Sequence, residues 1–319
     1  MAKQKRVISI ILCVLFFAFI ARCAFDYFFF DQVEPLYPDK LTSRNGLWLR
    51  YYFYFGKHND QEFDKMIERL KTHQIKYAYF HVLNTKTNGQ LHYRFEDRAK
   101  RITKLVHSQS PDSKAIAWVY VASFGKEAND LSKKEVRANL VEQARWLTEK
   151  CGFDGVQWDY EFATNGNRGL IDLLKETKQA LPNTLLSTAT PMWYPGTLWG
   201  WNEQYFAEVA KHSDQIAVMG YDSWLYLPSL YVRLISQQVI QVCQAAEGTN
   251  CKVIIGLPTY EDVTLAHHKP VETLRHGLMG VQEGLSNCKA RDRFEGIALF
   301  ADYTTDEQEW KLFDKTCTH

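Results

Sequence analysis

The sequence has almost no net charge: its acidic and basic side chains balance to +1 over 319 residues. Without a one-signed field nothing draws the chain to nucleic acid. It also has no helix-turn-helix pattern and no interleaved aromatic–basic stretch of an RNA reader. Short basic runs such as Lys100-Arg101 and Lys133-Lys134 read as solvated helix faces. No G-x-G-x-x-G or phosphate-loop lysine motif follows the first strand-like run, so the common dinucleotide and nucleotide cradles are excluded. No cysteine or histidine spacing matches a zinc site, and His267-His268, with no third ligand in sight, reads as a solvated loop. No metal and no cofactor are expected.

Cysteines are few. Cys13 and Cys23 belong to the N-terminal segment, leaving Cys151, Cys243, Cys251, Cys288 and Cys317, an odd set with at least one thiol unmatched. In an oxidising compartment Cys243 could bridge to Cys251 across a polar turn, with Cys288–Cys317 the next pairing. Cys151 reads as a buried thiol.

The chain does have a pronounced apolar start. Lys3, Lys5 and Arg6 precede a run from Val7 to Ala21, about 22 Å as a helix and short against a hydrocarbon core of ~30 Å. That length suits a signal peptide with cleavage after Cys23, but Phe25 to Phe30 extend the apolar character, so an uncleaved anchor stays open. Residues 1–30 are therefore a signal peptide or signal anchor and 31–45 a linker. The protein is expected to be exported: secreted, periplasmic or membrane-anchored, touching the membrane only through this segment.

From residue 46 to 319, short apolar runs alternate with amphipathic stretches. Strands are expected at Leu47–Phe55, Lys76–Leu83, Ala115–Val121, Gly155–Glu161, Thr184–Thr190, Gln215–Tyr221, Lys252–Pro258 and Gly296–Ala301. Helices fall at Asp60–His73, Ser132–Lys150, Leu170–Leu181, Glu203–Lys211, Leu230–Ala246, Val271–Leu285 and Asp306–Asp314. Ser132 with Glu135 has the spacing of a capping box. Eight strand–helix units at this length predict an α/β fold, a (β/α)8 TIM barrel forming a single catalytic domain. An open doubly wound sheet would need fewer repeats and a glycine-rich first turn. A monomer is expected.

Residues 153–161, Phe-Asp-Gly-Val-Gln-Trp-Asp-Tyr-Glu, are the stretch richest in chemistry. On a strand, Gln157, Asp159 and Glu161 share one face and Val156, Trp158 and Tyr160 the other. A bare carboxylate there would cost several kcal/mol to bury, unless it stands at the mouth of a closed barrel. A carboxyl group kept protonated in such a place can serve as a general acid. The plainer alternative is a pair of acids capping the next helix.

In sequence the chain resembles the glycoside hydrolases of family 18, the chitinase-like superfamily. That family's D-G-x-D-x-D-x-E appears as Asp154 to Glu161 with Gln157 in place of the first acid of the triplet. Its M-x-Y-D is Met219-Gly220-Tyr221-Asp222, its G-x-P-x-Y is Gly256 to Tyr260, and its final G-x-x-x-W then D-Y is Gly296 to Phe300 followed by Asp302-Tyr303. The resemblance implies hydrolysis of β-linked N-acetylglucosamine glycans by substrate-assisted retaining catalysis. Glu161 would be the acid/base, Asp159 would hold the acetamido N–H, and Tyr221 would aim the acetamido oxygen. Gln157, Met219, Asp222, Trp193, Tyr260 and Phe300 would bind substrate, an N-acetylated oligo- or polysaccharide. Core packing for Tyr221 and helix capping for Asp222 are the alternatives. Trp193, Trp199 and Trp201 crowd the stretch after the fifth strand, where stacking on sugar and packing on helices are both open, as they are for Trp224 and Tyr226.

Two departures bear on activity. Gln157 can neither share a proton nor add charge, so Asp159 should ionise more readily and the pH profile or rate should change. Phe300 replaces the tryptophan floor of the sugar subsite. A catalytically weak or inactive lectin of the same fold is the alternative function. The stretch between Tyr260 and Gly296 is too short for the family's α+β insertion, implying a shallow groove.

Overall fold

The alternating apolar runs close on themselves. In the computed structural model, which describes residues 2–33, 41, 44–160, 163–197 and 200–318, eight parallel strands hydrogen-bond in sequence order and the last pairs with the first. The strands are β1 Asn45–Leu49, β2 Ile75–Asn84, β3 Lys114–Tyr120, β4 Gly155–Asp159, β5 Leu185–Thr190, β6 Gln215–Met219, β7 Lys252–Pro258 and β8 Phe294–Phe300. Outside them lie α2 Tyr52–Phe55, α3 Asp60–Thr72, α4 Glu96–Gln109, α5 Lys134–Arg145, α6 Arg168–Ala180, α7 Glu203–Ala210, α8 Pro228–Ala245, α9 Leu274–Asn287 and α10 Glu307–Cys317. An N-terminal helix, α1 Ala2–Val33, precedes the barrel. The chain is thus a (β/α)8 barrel, as its periodicity implied.

Strand parity sorts the core into two layers. Leu47, Phe80, Ala117, Val156 and Trp158 face the helices in the larger cluster. Trp48, Tyr79, Ile116, Ala217, Ile254 and Ala298 fill the barrel interior. Polar groups cross that interior as a continuous chain. Trp48 Nε1 donates to Gln157 Oε1 (2.8 Å), Gln157 Nε2 to Ser187 Oγ (3.0 Å), and Ser187 Oγ to Gln215 Oε1 (2.9 Å). At the floor, Gln215 Nε2 and Tyr77 OH both donate to Glu295, at 3.2 and 2.8 Å. Paired in this way, the buried polar groups avoid the cost of unmet hydrogen bonds.

Several local expectations change. The first strand stops at Leu49 rather than Phe55, because Arg50 turns its N–H onto Asp302 Oδ1 (3.2 Å) and the aromatic run forms the one-turn α2, ended by left-handed Gly56. Ser132 does not cap α5: its hydroxyl donates to Asp130 Oδ1 at 2.6 Å, and α5 starts after Lys133 without a side-chain cap. Capping boxes form instead at Asn59–Glu62 and Asp306–Glu309. Helix α5 runs on as a single π turn, Trp146–Lys150. Neither expected cysteine pairing forms. The cysteines are free thiols, and Cys243 of α8 lies against Cys288 at the end of α9. Buried Cys151 is as anticipated, its thiol pushed up to about 12 by desolvation.

Candidate active site

Strand β4 carries the chemistry to the mouth. Asp154, the first acid of its motif, is not part of it. It sits at the opposite end, where Oδ2 accepts from Ala115 N (2.8 Å) and pairs with His107 (2.9 Å), fixing β4 against β3. Asp159 ends β4, is almost fully buried, and accepts the indole N–H of Trp118 at 2.7 Å. Glu161 lies two residues further on, outside the described residues, as does Trp199.

Phe300 is the hub of the cup above Asp159. Its ring stacks on Tyr221 (centroids 5.0 Å apart, 22° between planes) and meets Trp48, Trp118 and Tyr260 edge-on at 5.9, 6.1 and 5.9 Å. Trp118 thus links Phe300 to Asp159. The Phe300–Ala301 peptide is cis. Gly256 explains its own place in the motif: a Cβ there would come within 2.9 Å of Val218 O and 3.0 Å of the Trp48 ring.

Tyr221 follows Met219, which is half-buried and pairs in register with Gly256. The strand end is held from behind, with Tyr231 OH donating to Gly220 O at 2.7 Å. Asp222 adopts a left-handed φ of 56°. Its side chain accepts from Tyr260 OH (2.7 Å), while its N–H and that of Ser223 donate to Glu272 at 2.7 and 3.0 Å. Burial, then the nearby Glu272, push the Asp222 carboxyl above its ordinary value, against the Tyr260 hydrogen bond. Burial and Asp222 together hold the Tyr260 phenol far above the usual range.

His267 corrects the sequence reading. It is fully buried, not solvated, with Nδ1 3.2 Å from Glu272 and its ring 4.1 Å from that of Tyr260. Ligand atoms of Asp222, His267 and Glu272 lie within 4.8 Å of one another, but Glu272 is already occupied by the two backbone donors, the Ser223 hydroxyl and His267. The group holds the turn after Tyr221.

The structure thus gathers Asp159, Tyr221, Asp222, Tyr260 and Phe300 at the mouth, with Gln157 one layer below. Trp193 lies apart. Its N–H donates to Gln238 Oε1 (2.6 Å), its carbonyl accepts from Gln238 Nε2 (3.0 Å), and its ring is half-buried on the outer core. Trp201 is core, donating to Ala163 O at 2.8 Å. Sequence reasoning missed Trp48, Trp118 and His81. His81 stacks on Trp118 (3.9 Å, 21°), and burial pushes its imidazole down to about 4, so it is neutral near pH 7. Inward parity on β1, β2 and β3 was the available signal.

The chain matches the family model for glycosyl hydrolases family 18 over residues 48–318 and belongs to that family. Its fold is similar to that of the Group IV chitinase of Ostrinia furnacalis (TM-score 0.62, 14% identity, covering 86% of this chain and 98% of that one). A Rhizomucor miehei chitinase gives 0.58 at 13% identity, over 86% and 100% of the two chains. The spore cortex-lytic enzyme SleL of Bacillus cereus gives 0.60 at 12%, over 88% and 75%. No curated protein matches the chain.

Proposed function

We propose that the protein hydrolyses β-linked N-acetylglucosamine glycans by substrate-assisted retention. The observation that carries this reading is the buried carboxylate of Asp159, fixed by Trp118 at 2.7 Å under an aromatic cup floored by Phe300. A sugar seated on Phe300 turns its 2-acetamido group towards β4. Asp159 accepts the acetamido N–H, raising the nucleophilicity of the carbonyl oxygen, and Tyr221 donates to that oxygen and aims it. The oxygen attacks the anomeric carbon, the glycosidic C–O bond breaks, and Glu161 gives its proton to the departing oxygen. Water then adds to the same carbon, Glu161 takes back a proton, and the acetamido group is released. Two inversions give net retention. Most of the contribution is orientation, which can supply several kcal/mol.

Among the described residues no strand or helix lies between Pro258 and Leu274, so that wall of the groove carries a loop in place of the family's α+β insertion. A shallow groove favours a glycan end or core over a long threaded polymer. Glu161→Gln should cut turnover of N-acetylated chitooligosaccharides by orders of magnitude while leaving their affinity within a few-fold, a loss confined to the transition state. Equal turnover would remove Glu161 from the mechanism, and saturable binding without cleavage by the unaltered protein would make it a lectin.

A further inference from the structure

Helix α1 is solvent-exposed and apolar over most of Ile8 to Phe25, and then it joins the barrel. Asp26 is buried and accepts from Ser229 Oγ (2.9 Å) in the first turn of α8. One turn on, Asp31 Oδ1 meets Arg275 Nε at 2.8 Å and His276 Nε2 at 2.9 Å in the first turn of α9, and Phe30 packs edge-on to His276 (5.3 Å). The last two turns of the helix are therefore bonded to the outside of the barrel, next to its mouth.

Beside this junction the loops after β6 and β7 are tied together. Trp224 N–H donates to Ala266 O (2.9 Å) and Tyr226 OH to Leu265 O (3.3 Å). They present Trp224, Tyr226, Val263 and Leu265 to solvent beside Leu230 of the first turn of α8, from 46% exposed at Leu230 to 73% at Leu265. His268 touches both Tyr226 (4.7 Å) and Tyr27 of α1 (6.2 Å), so patch and helix are contiguous. Glu261 is paired with Lys269 at 2.6 Å, and Asp262 is exposed beside it. Contiguous exposed apolar side chains mark an interaction surface, and aromatic rings with a polar edge suit the lipid–water boundary.

The lengths agree with a bilayer as the partner. Ile8 to Phe25 spans about 27 Å at about 1.5 Å per residue, close to a hydrocarbon core of ~30 Å. The barrel contacts begin at the next residue. Lys3, Lys5 and Arg6 stand at the other end, where basic residues keep the cytoplasmic side.

We propose that α1 is kept as a membrane-spanning anchor clamped to α8 and α9, and that the Trp224–Leu265 patch rests in the lipid interface beside it. The barrel then stands on the membrane with one edge of its mouth at the surface. Trp224 is two residues from Asp222, so substrate would be drawn from the layer of glycan next to the bilayer. The anchoring itself does not depend on the sugar chemistry.

Tryptophan fluorescence reads this directly, because every tryptophan falls at or after residue 48 of the sequence and α1 has none. The full chain is placed in phosphatidylcholine vesicles with and without brominated acyl chains. Brominated lipid should quench part of the emission, and Trp224→Phe should lose most of that quenching. The double variant Val263→Asp with Leu265→Asp should lose it too, at an unchanged thermal midpoint. No quenching in the unaltered chain, or equal quenching in Trp224→Phe, overturns the apposition. A chain recovered from exporting cells that begins after Cys23 overturns the anchor. A failed glycosidase assay changes none of these readouts.

Discussion

Gln157 takes the place of an acid, and its surroundings show why a neutral amide fits. Its oxygen receives the Trp48 N–H and its amide donates to Ser187, so one group serves as acceptor and donor together. Gln157→Asp offers acceptors only, on a side chain one methylene shorter, so Ser187 would have to turn its hydroxyl round to pair with it. It would also set a second negative charge on the same strand face as Asp159, making ionisation of the pair harder. The acid limb of the kcat profile should therefore move to higher pH. An unchanged limb would show that position 157 does not couple to Asp159.

Two groups near the mouth, buried Asp302 and half-buried His81, give a second prediction on the same scale. Burial lifts the Asp302 carboxyl from an ordinary 3.8 to about 6, despite the Arg50 N–H. Between those values the folded chain keeps a proton that the unfolded chain has released, so this group lowers stability as pH rises through the window. The anion is disfavoured by about 3 kcal/mol. His81 acts in the opposite sense. Its folded value of about 4 lies below the ordinary 6.5, so its contribution is whole above pH 6.5 and is lost as pH falls towards 4. Relative to the unaltered protein, Asp302→Asn should become more stable as pH rises from 4 to 6, and His81→Gln less so. Urea midpoints measure this, and parallel curves would contradict it. Asp159, Tyr221, Asp222, Tyr260 and Phe300 were legible because motifs mark them. Trp48, His81 and Trp118 were not, because an inward ring on a strand buried on both faces looks the same at the mouth as at the centre.

At the scale of elements, α8 and α9 form the closest helix pair. Two glycines make it possible. A Cβ on Gly280 would sit 2.6 Å from Val232 O and 2.7 Å from Ile235 Cβ, and one on Gly284 would sit 2.7 Å from Val239 Cβ. Gly277 gives the same clearance to Leu257 of β7. Gly280→Ala adds a methyl where there is no room, and overpacking of this kind costs about 1–3 kcal/mol. A lower urea midpoint at unchanged slope is expected, whereas an unchanged midpoint would mean that the helices can separate at no cost. Most elements could be read from apolar periodicity, but α4 could not. Its buried face is only Ala99, Ile102, Thr103 and Val106, and Phe95 before it offers no capping oxygen. The first strand was overread for a related reason. Tyr51 to Phe55 has strand-like residues, but the tertiary bond from Arg50 to Asp302 turns the backbone first.

Over the whole molecule, barrel closure and family were legible because four motifs fell in order on four strands. The docking of α1 was not, since Asp26–Ser229 and Asp31–His276 join residues more than two hundred positions apart that carry no motif. Within the barrel one polar line runs from Glu295 at the floor to Gln157 beneath the mouth. Above it, Asp159, Tyr221 and Phe300 stand together at the mouth, as the proposed substrate-assisted reaction requires.

The central claim, that the acetamido group does the attacking, is tested most directly with matched chitooligosaccharides, fully N-acetylated and fully deacetylated. The anomer first released is followed by proton NMR. The account predicts cleavage of the acetylated substrate alone, with the β anomer appearing first. Comparable cleavage of the deacetylated substrate, or initial release of the α anomer, would contradict it.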